Sequence, residues 1–269
     1  METQHTIGFI GGGNMAEALI KGLSAAHPGL KLRVAEILAS RRDYLASRYT
    51  LQFNADAGEL ARECGILILA VKPQTAGSVL DELSRAVGDD KLLISIVAGL
   101  STAAMEKHFS GPVRIVRAMP NTPALVGAGA TAICAGSRLL PGDMERAASL
   151  LAAVGPVLRV AEAQMDGVTG LSGSGPAYVF TLIEALADGG VQEGLPRETA
   201  AALAVQTVLG AAALVKATGE HPALLRDRVC SPGGTTMRGM QALEEHGFRH
   251  AVREAVRQAA QRSRELGCP

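Results

Sequence analysis

Three consecutive glycines, Gly11, Gly12 and Gly13, separate a short apolar run from a helix-favouring stretch that opens Asn14-Met15-Ala16. A strand, a tight turn and a helix in that order make an anion site. The first N–H groups of a helix lack intrahelical acceptors, and the helix dipole favours negative charge there. In the pattern G-x-G-x-x-A, Gly11 makes the turn, Gly13 lets the backbone approach a pyrophosphate, and Ala16 keeps the helix close to the strand. The same pattern also describes a glycine-rich turn that holds no ligand.

Glu36 comes 20 residues after Ala16. An acidic residue there accepts hydrogen bonds from the adenosine ribose of NAD and repels the 2′-phosphate of NADP; otherwise it is a solvated strand-end carboxylate. Ser40, Arg41 and Arg42 follow and would suit a 2′-phosphate, so both dinucleotides stay open, with a lean to NADH. Ala70-Val71-Lys72-Pro73 ends another apolar run, because proline drives the residue before it out of the helical region. Lys72 is there either a ribose-side anchor or a charged strand end. Val97-Ala98-Gly99 is small enough to admit a flat ring. Asn121 and Thr122 lie between Pro120 and Pro123, a stiff polar loop that suits orienting a nicotinamide or a substrate, or a surface turn.

Two later stretches also carry usable groups. Ser231-Pro232-Gly233-Gly234-Thr235-Thr236 sets two glycines and two hydroxyls ahead of a helix. Free N–H groups of Gly234, Thr235 and Thr236 pointing outward together would suit a carboxylate, and the Thr236 hydroxyl a substrate nitrogen. A plain capped helix start is the alternative. Leu171-Ser172-Gly173-Ser174-Gly175-Pro176-Ala177-Tyr178 reads as a tight helix crossing, with Ser174 as a polar contact; the alternative is a substrate-facing bend.

The elements that must position these groups follow from periodicity. Strands are expected at 6–10, 31–36, 65–71, 91–97, 113–117, 130–135 and 156–160, with helices such as 14–25, 74–87 and 143–154 between them. The runs centred on Ile66 and Leu93 are apolar without alternation, as in parallel strands buried on both faces. This predicts a doubly wound α/β sheet over residues 1–160, with its ligand at the carboxyl ends of the strands. After Val160 only helices are expected. Pro176, Pro196 and Pro222 suit first turns, and a last helix from Phe248 puts Val252, Val256, Ala259, Ala260 and Ser263 on one face. The alanine-rich stretch 200–215 carries Gln206 and Thr207; it reads as too short and too polar to span a bilayer, hence as a buried helix. A helical half this thin, 161–269, calls for a partner copy, an obligate dimer.

Composition narrows the classes. The 269 residues carry 26 Lys plus Arg against 26 Asp plus Glu and no Trp, so neither a charged field nor stacking platforms point to nucleic acid or an acidic membrane. Cys64, Cys134, Cys230 and Cys268 stand far apart and the six His are scattered, so no metal site or redox motif is expected. Met1-Glu2-Thr3 lacks the basic start of a signal peptide, and the expected setting is the cytoplasm.

Taken in order, G-F-I-G-G-G-N-M-A, A-V-K-P-Q, R-A-M-P-N-T-P, G-L-S-G-S-G-P-A-Y, E-A-L-A-D-G-G-V, G-L-P-R and R-D-R-V-C-S-P-G-G-T-T closely resemble pyrroline-5-carboxylate reductase over nearly the whole chain. The resemblance implies reduction of 1-pyrroline-5-carboxylate to L-proline by NADPH or NADH, the last step of proline biosynthesis. It implies an N-terminal Rossmann-type domain and an all-α dimerisation domain that interleaves in a homodimer, with dimers often forming a decamer. Carried over residue by residue, Gly11, Gly12, Gly13, Asn14 and Met15 hold the pyrophosphate, and Ala70, Val71, Lys72, Pro73 and Ala98 line the cofactor groove. Glu162 is a further contact, and Gly233, Gly234, Thr235 and Thr236 take the substrate. Many relatives have Asn-Arg in place of Glu36-Ile37 and Asn in place of Ala57, departures that bear on NADPH use. Two other readings share features: a β-hydroxyacid dehydrogenase, opposed by the lack of a lysine after the 173–175 break other than Lys216, and an NAD(P)-sensing module without turnover, which leaves the S-P-G-G-T-T stretch unexplained.

Overall fold

The computed structural model describes residues 6–267; Met1-Glu2-Thr3 and Cys268, which entered the sequence reading, lie outside them. Strands and helices alternate as β1 (Thr6–Ile10), α1 (Asn14–Ala26), β2 (Lys31–Ala35), α2 (Ala39–Ala46), β3 (Gln52–Asn54), α3 (Ala57–Glu63), β4 (Ile66–Leu69), α4 (Pro73–Leu83) and β5 (Leu92–Ser95). There follow α5 (Thr102–Glu106), β6 (Arg114–Met119), β7 (Thr131–Ala135), α6 (Asp143–Leu151), β8 (Val157–Arg159) and α7 (Met165–Val168). The remaining helices are α8 (Gly175–Gln192), α9 (Arg197–Thr218), α10 (Pro222–Val229), α11 (Thr235–Glu245) and α12 (Phe248–Gly267). Contacts divide the chain into two units: one runs up to Ser174 and resumes from Gln258 onward, and the other is Gly175–Arg257.

The first unit is built on one eight-stranded sheet in the order β3-β2-β1-β4-β5-β6-β7-β8. The order reverses between β1 and β4, and the connections leave a crevice at their carboxyl ends, where doubly wound sheets take ligands. β4 and β5 are buried at every position, and separate apolar clusters cover the two faces. Phe9, Leu19, Ile68 and Ile94 lie in one cluster, and Leu60, Leu67, Leu80 and Leu93 in the other.

All seven expected strands form, shorter by up to two residues at an end, except that β6 runs on to Met119. Helix 74–87 stops at Leu83, and 143–154 stops at Leu151 before a 3₁₀ turn, Ala152–Val154. β3 is not evident from the sequence because its three residues carry one large apolar side chain, Phe53. β7 pairs antiparallel with β6. The chain reverses there through a 3₁₀ segment, Thr122–Val126, which takes up the end of the expected stiff loop. From the far end of the chain, α12 rejoins this unit: Ser263 Oγ donates to Asp166 Oδ1 at 2.6 Å, and Leu266 packs beside Gly99.

In the second unit α8 packs on α9 around Ala187, Ala200 and Ala204, and this small cluster is the buried core there. The sequence reading of 200–215 is corrected on two counts. α9 has 22 residues and is long and apolar enough to cross a membrane by length and composition, and only 11% of its most apolar window is buried. Leu203, Val205, Leu209 and Leu214 are exposed on it. Apolar residues on every side describe a helix that is covered without saying by what; within one chain, most of α9 has no cover.

The 171–178 stretch is also corrected. Thr169–Gly173 is a π-helical turn, with Ser174 N–H donating to Thr169 O at 2.8 Å, so the glycines widen the helix rather than break it. A side chain at Gly173 would strike Met119 Cε at 2.6 Å, so the close approach here is to the end of strand β6 rather than the expected helix crossing.

Candidate active site

The glycine turn sits where β1 ends. Gly11 has φ +92°, and a Cβ there would lie 2.7 Å from Ala70 O, so both conformation and space require glycine. Its N–H donates to Ala35 O, and Ala70 N–H to Ile10 O, tying the ends of β1, β2 and β4 together. α1 then starts at Asn14 with no side-chain cap. No described residue accepts from the N–H groups of Gly13, Asn14 or Met15, and a Cβ at Gly13 would meet nothing within 4 Å. Open, uncapped amides at a helix N-terminus fit a pyrophosphate.

Beside this turn lies a cavity of about 820 Å³, within the size range of cofactor sites. Gly11, Gly13, Asn14, Glu36, Ala70, Val71 and Lys72 line it, together with Ile37, Leu38, Ser40, Arg41, Tyr44, Asp56, Thr75 and Glu82. The sequence reading missed Tyr44, Asp56, Thr75 and Glu82. Asp56 alone carried a signal, an Asp just before a helix, and it caps α3 by accepting from Glu59 N–H at 2.7 Å.

The Glu36 carboxylate is held at both oxygens, by Gly12 N–H at 2.8 Å and Leu38 N–H at 2.9 Å. It therefore faces the cavity as a fixed acceptor rather than as a solvated strand end. The arginines do not extend into the cavity as free cations. Arg41 donates to Gly12 O at 2.5 Å and pairs with Glu17 at 2.6 Å, while Arg42 donates to the carbonyls of Glu36 and Ile37.

Other expected site residues are placed elsewhere. The Met15 side chain packs against the sheet core while its amide stays at the α1 start, Pro73 is the first residue of α4, and Ala98 follows β5 outside the cavity lining. Asn121 has its amide committed: Oδ1 accepts from Ala130 N–H at 2.8 Å, and Nδ2 donates to Ser172 O and Oγ at 3.2 Å. Glu162 accepts from Thr102 N–H at 2.7 Å and Thr102 Oγ1 at 2.5 Å, with buried Arg117 at 3.3 Å. Both side chains pin loops at the sheet edge. Burial pushes the neighbouring Cys134 thiol, and that of Cys64, up to about 11, so neither is a thiolate nucleophile at neutral pH.

In the second unit, Gly233 takes φ +68° and Gly234 caps α11. One expected donor is spent: Gly234 N–H closes a turn onto Ser231 O at 3.0 Å, because the glycine pair curls the chain back on itself. Thr235 and Thr236 keep the helix-start amides, and the half-buried Thr236 side chain makes no hydrogen bond to a described residue.

Similarity to known proteins extends over nearly the whole chain. Residues 162–266 match the family model described as pyrroline-5-carboxylate reductase dimerisation, and residues 6–99 match that described as NADP oxidoreductase coenzyme F420-dependent. A pyrroline-5-carboxylate reductase of Synechocystis sp. is 51% identical over 97% of this chain and 98% of its own length. The chain belongs to the pyrroline-5-carboxylate reductase family. Its fold matches the solved Coxiella burnetii enzyme with a TM-score of 0.92 and 37% identity, covering 99% of this chain and 100% of that one. It matches the Plasmodium falciparum enzyme, solved with NADP bound, with a TM-score of 0.89 and 35% identity, covering 98% and 99%. The protein is thus an oxidoreductase that reduces 1-pyrroline-5-carboxylate to L-proline with NAD(P)H, in proline biosynthesis. The dehydrogenase and sensor readings are not favoured.

Proposed function

We propose that this enzyme prefers NADH, with the adenosine ribose against Glu36, the pyrophosphate on the Gly13–Met15 amides, and the substrate held by Thr235 and Thr236. The observation that carries the preference is the doubly anchored Glu36 carboxylate, which offers acceptors to two ribose hydroxyls and opposes a 2′-phosphate. Repulsion of more than about 1.4 kcal/mol, modest for like charges in contact near a surface, makes kcat/KM at least about tenfold higher with NADH. Parallel progress curves with the two nicotinamides test this.

When bound, the reduced nicotinamide supplies a hydride. The substrate ring carries one carboxylate and a C=N bond, which solvent protonates to an iminium at its nitrogen. Hydride adds to the ring carbon, the C=N π pair becomes the nitrogen lone pair, and proline and oxidised cofactor leave. The protein then contributes mainly alignment. Thr235 and Thr236 amides donate to the carboxylate at the α11 start, and the Thr236 hydroxyl accepts from the iminium N–H and fixes the ring. Asn121, Ser174, Glu162 and Ala98 belong to the first unit, where Asn121 and Glu162 act through the segments they hold in place.

By sequence the dimerisation domain is 161–269 and the nucleotide domain 1–160, although residues up to Ser174 and from Gln258 onward pack with the sheet unit. Support comes from the end of β8 at Arg159 and from the dimerisation model that begins at 162. A homodimer gives the exposed apolar positions of α9 a cover, and assembly of dimers into a decamer extends the family resemblance. The polar Gln206 and Thr207 within the α9 run favour a protein partner over lipid, and the free cysteines suit the cytoplasm. Sedimentation at assay concentration is expected to find no monomer; an active, folded monomer there would refute the obligate dimer.

A further inference from the structure

We infer that Glu17, which does not line the cavity, strengthens the NADH preference set at Glu36 by holding Arg41 away from a 2′-phosphate. The inference rests on placing the adenosine ribose against Glu36. Arg41 and Tyr44 both line the cavity, and Arg41 is the cation nearest in sequence to the ribose-binding strand end that also faces it. Its guanidinium is committed on two sides and one face. Nε donates to Gly12 O at 2.5 Å, Nη2 pairs with Glu17 Oε2 at 2.6 Å, and the Tyr44 ring lies 4.8 Å from its centre.

Glu17 is built to stay in that pair. Its other oxygen, Oε1, accepts from the hydroxyls of Tyr44 and Tyr49, each at 3.2 Å, so the carboxylate is fixed from α1, α2 and the segment after α2. Burial alone would raise its pKa, but the Arg41 bond and charge and the two tyrosines outweigh burial and hold it below the ordinary carboxylate range. It is ionised at neutral pH and cancels the Arg41 charge locally. Arg42 is laid along the Glu36 and Ile37 carbonyls, and Arg48 stacks 4.3 Å from the Tyr44 ring without lining the cavity. A 2′-phosphate therefore meets the Glu36 carboxylate and an arginine already neutralised. Removing the Glu17 charge would leave Arg41 able to turn toward that phosphate.

The test titrates purified enzyme with NADH and with NADPH by nicotinamide fluorescence, without substrate, and also measures KM for each with saturating pyrroline-5-carboxylate; each dissociation constant is expected to move as its KM does. Glu17→Gln keeps an acceptor for the tyrosines while removing the charge. KM for NADPH is expected to fall about tenfold, the scale of one new charge-assisted hydrogen bond, with KM for NADH within about twofold of the parent. Adding Arg41→Leu should erase that improvement. Arg41→Leu alone, which loses the Gly12 hydrogen bond, should raise both KM values by a like factor and leave their ratio within about twofold. Equal changes for both cofactors in Glu17→Gln would make Glu17 merely structural and overturn the proposal. So would a loss confined to NADPH in Arg41→Leu alone, since Arg41 would then already bind phosphate. If no variant moves either KM, the proposal for Glu17 and Arg41 falls; the ribose placement is tested apart from it by Glu36→Gln, which should raise kcat/KM for NADPH relative to NADH if the ribose lies against Glu36.

Discussion

Replacing Arg114 by Met is expected to destabilise the nucleotide unit by about 3–5 kcal/mol at pH 7, because it strands a buried carboxylate. Arg114, on β6, and Asp143, at the start of α6, are 9% and 2% exposed. The guanidinium grips Asp143 at both oxygens, at 2.9 and 2.5 Å, and also donates to Asp89 O. Exposed pairs such as Arg262–Glu265 contribute about 0–1 kcal/mol, so burial decides the size of this effect. Burial alone would push the Asp143 carboxyl up, but the Arg114 bonds, the Leu140 N–H and the nearby arginine charges outweigh it and hold it below the ordinary range. Stability from a depressed carboxyl is present above its unfolded pKa and lost as pH falls through the folded value. In Arg114→Met burial is largely unopposed and the folded pKa rises above the unfolded one. The variant's deficit should then be largest at neutral pH and shrink toward pH 4. Urea midpoints at both pH values check this; a deficit under about 1 kcal/mol, or one independent of pH, would contradict it.

Thr236→Ala is expected to lower kcat/KM for pyrroline-5-carboxylate by about 10–150-fold, the range for losing one hydrogen bond to a charged group. The hydroxyl stands in the first turn of α11 and makes no hydrogen bond to a described residue, so its removal breaks nothing in the fold. KM for the nicotinamide should be unchanged, and Thr236→Ser should keep most of the activity because it keeps the oxygen. Steady-state kinetics on both variants would settle the role. An alanine variant within about threefold of the parent would remove Thr236 from the chemistry.

How much of this was legible in the sequence depended on range. The glycine turn and the apolar runs of β4 and β5 are local signals, and they placed the sheet correctly and put the glycine turn at the end of β1. Glu36 was legible by spacing, but its anchoring on Gly12 N–H joins residues 24 apart and needed the fold. Arg41 and Arg42 looked available to a 2′-phosphate because nothing nearby in sequence reveals the Glu17 pair or the Glu36 and Ile37 carbonyls. The direction of β7 was not encoded in its own residues, since a short apolar run pairs either way. Thr236 stood out through the two glycines ahead of its helix start and through the family resemblance; a threonine at a helix start is otherwise an ordinary cap. The exposed apolar side chains of α9 could not be assigned from composition, since core, partner interface and membrane all draw on the same residues.

The most direct measurement is loss of the reduced-nicotinamide absorbance with pyrroline-5-carboxylate, run with NADH and NADPH in parallel. Substrate-dependent oxidation with both, and kcat/KM at least about tenfold higher for NADH, is the expected result. A higher efficiency with NADPH would contradict the assignment of Glu36 as the residue that receives the ribose.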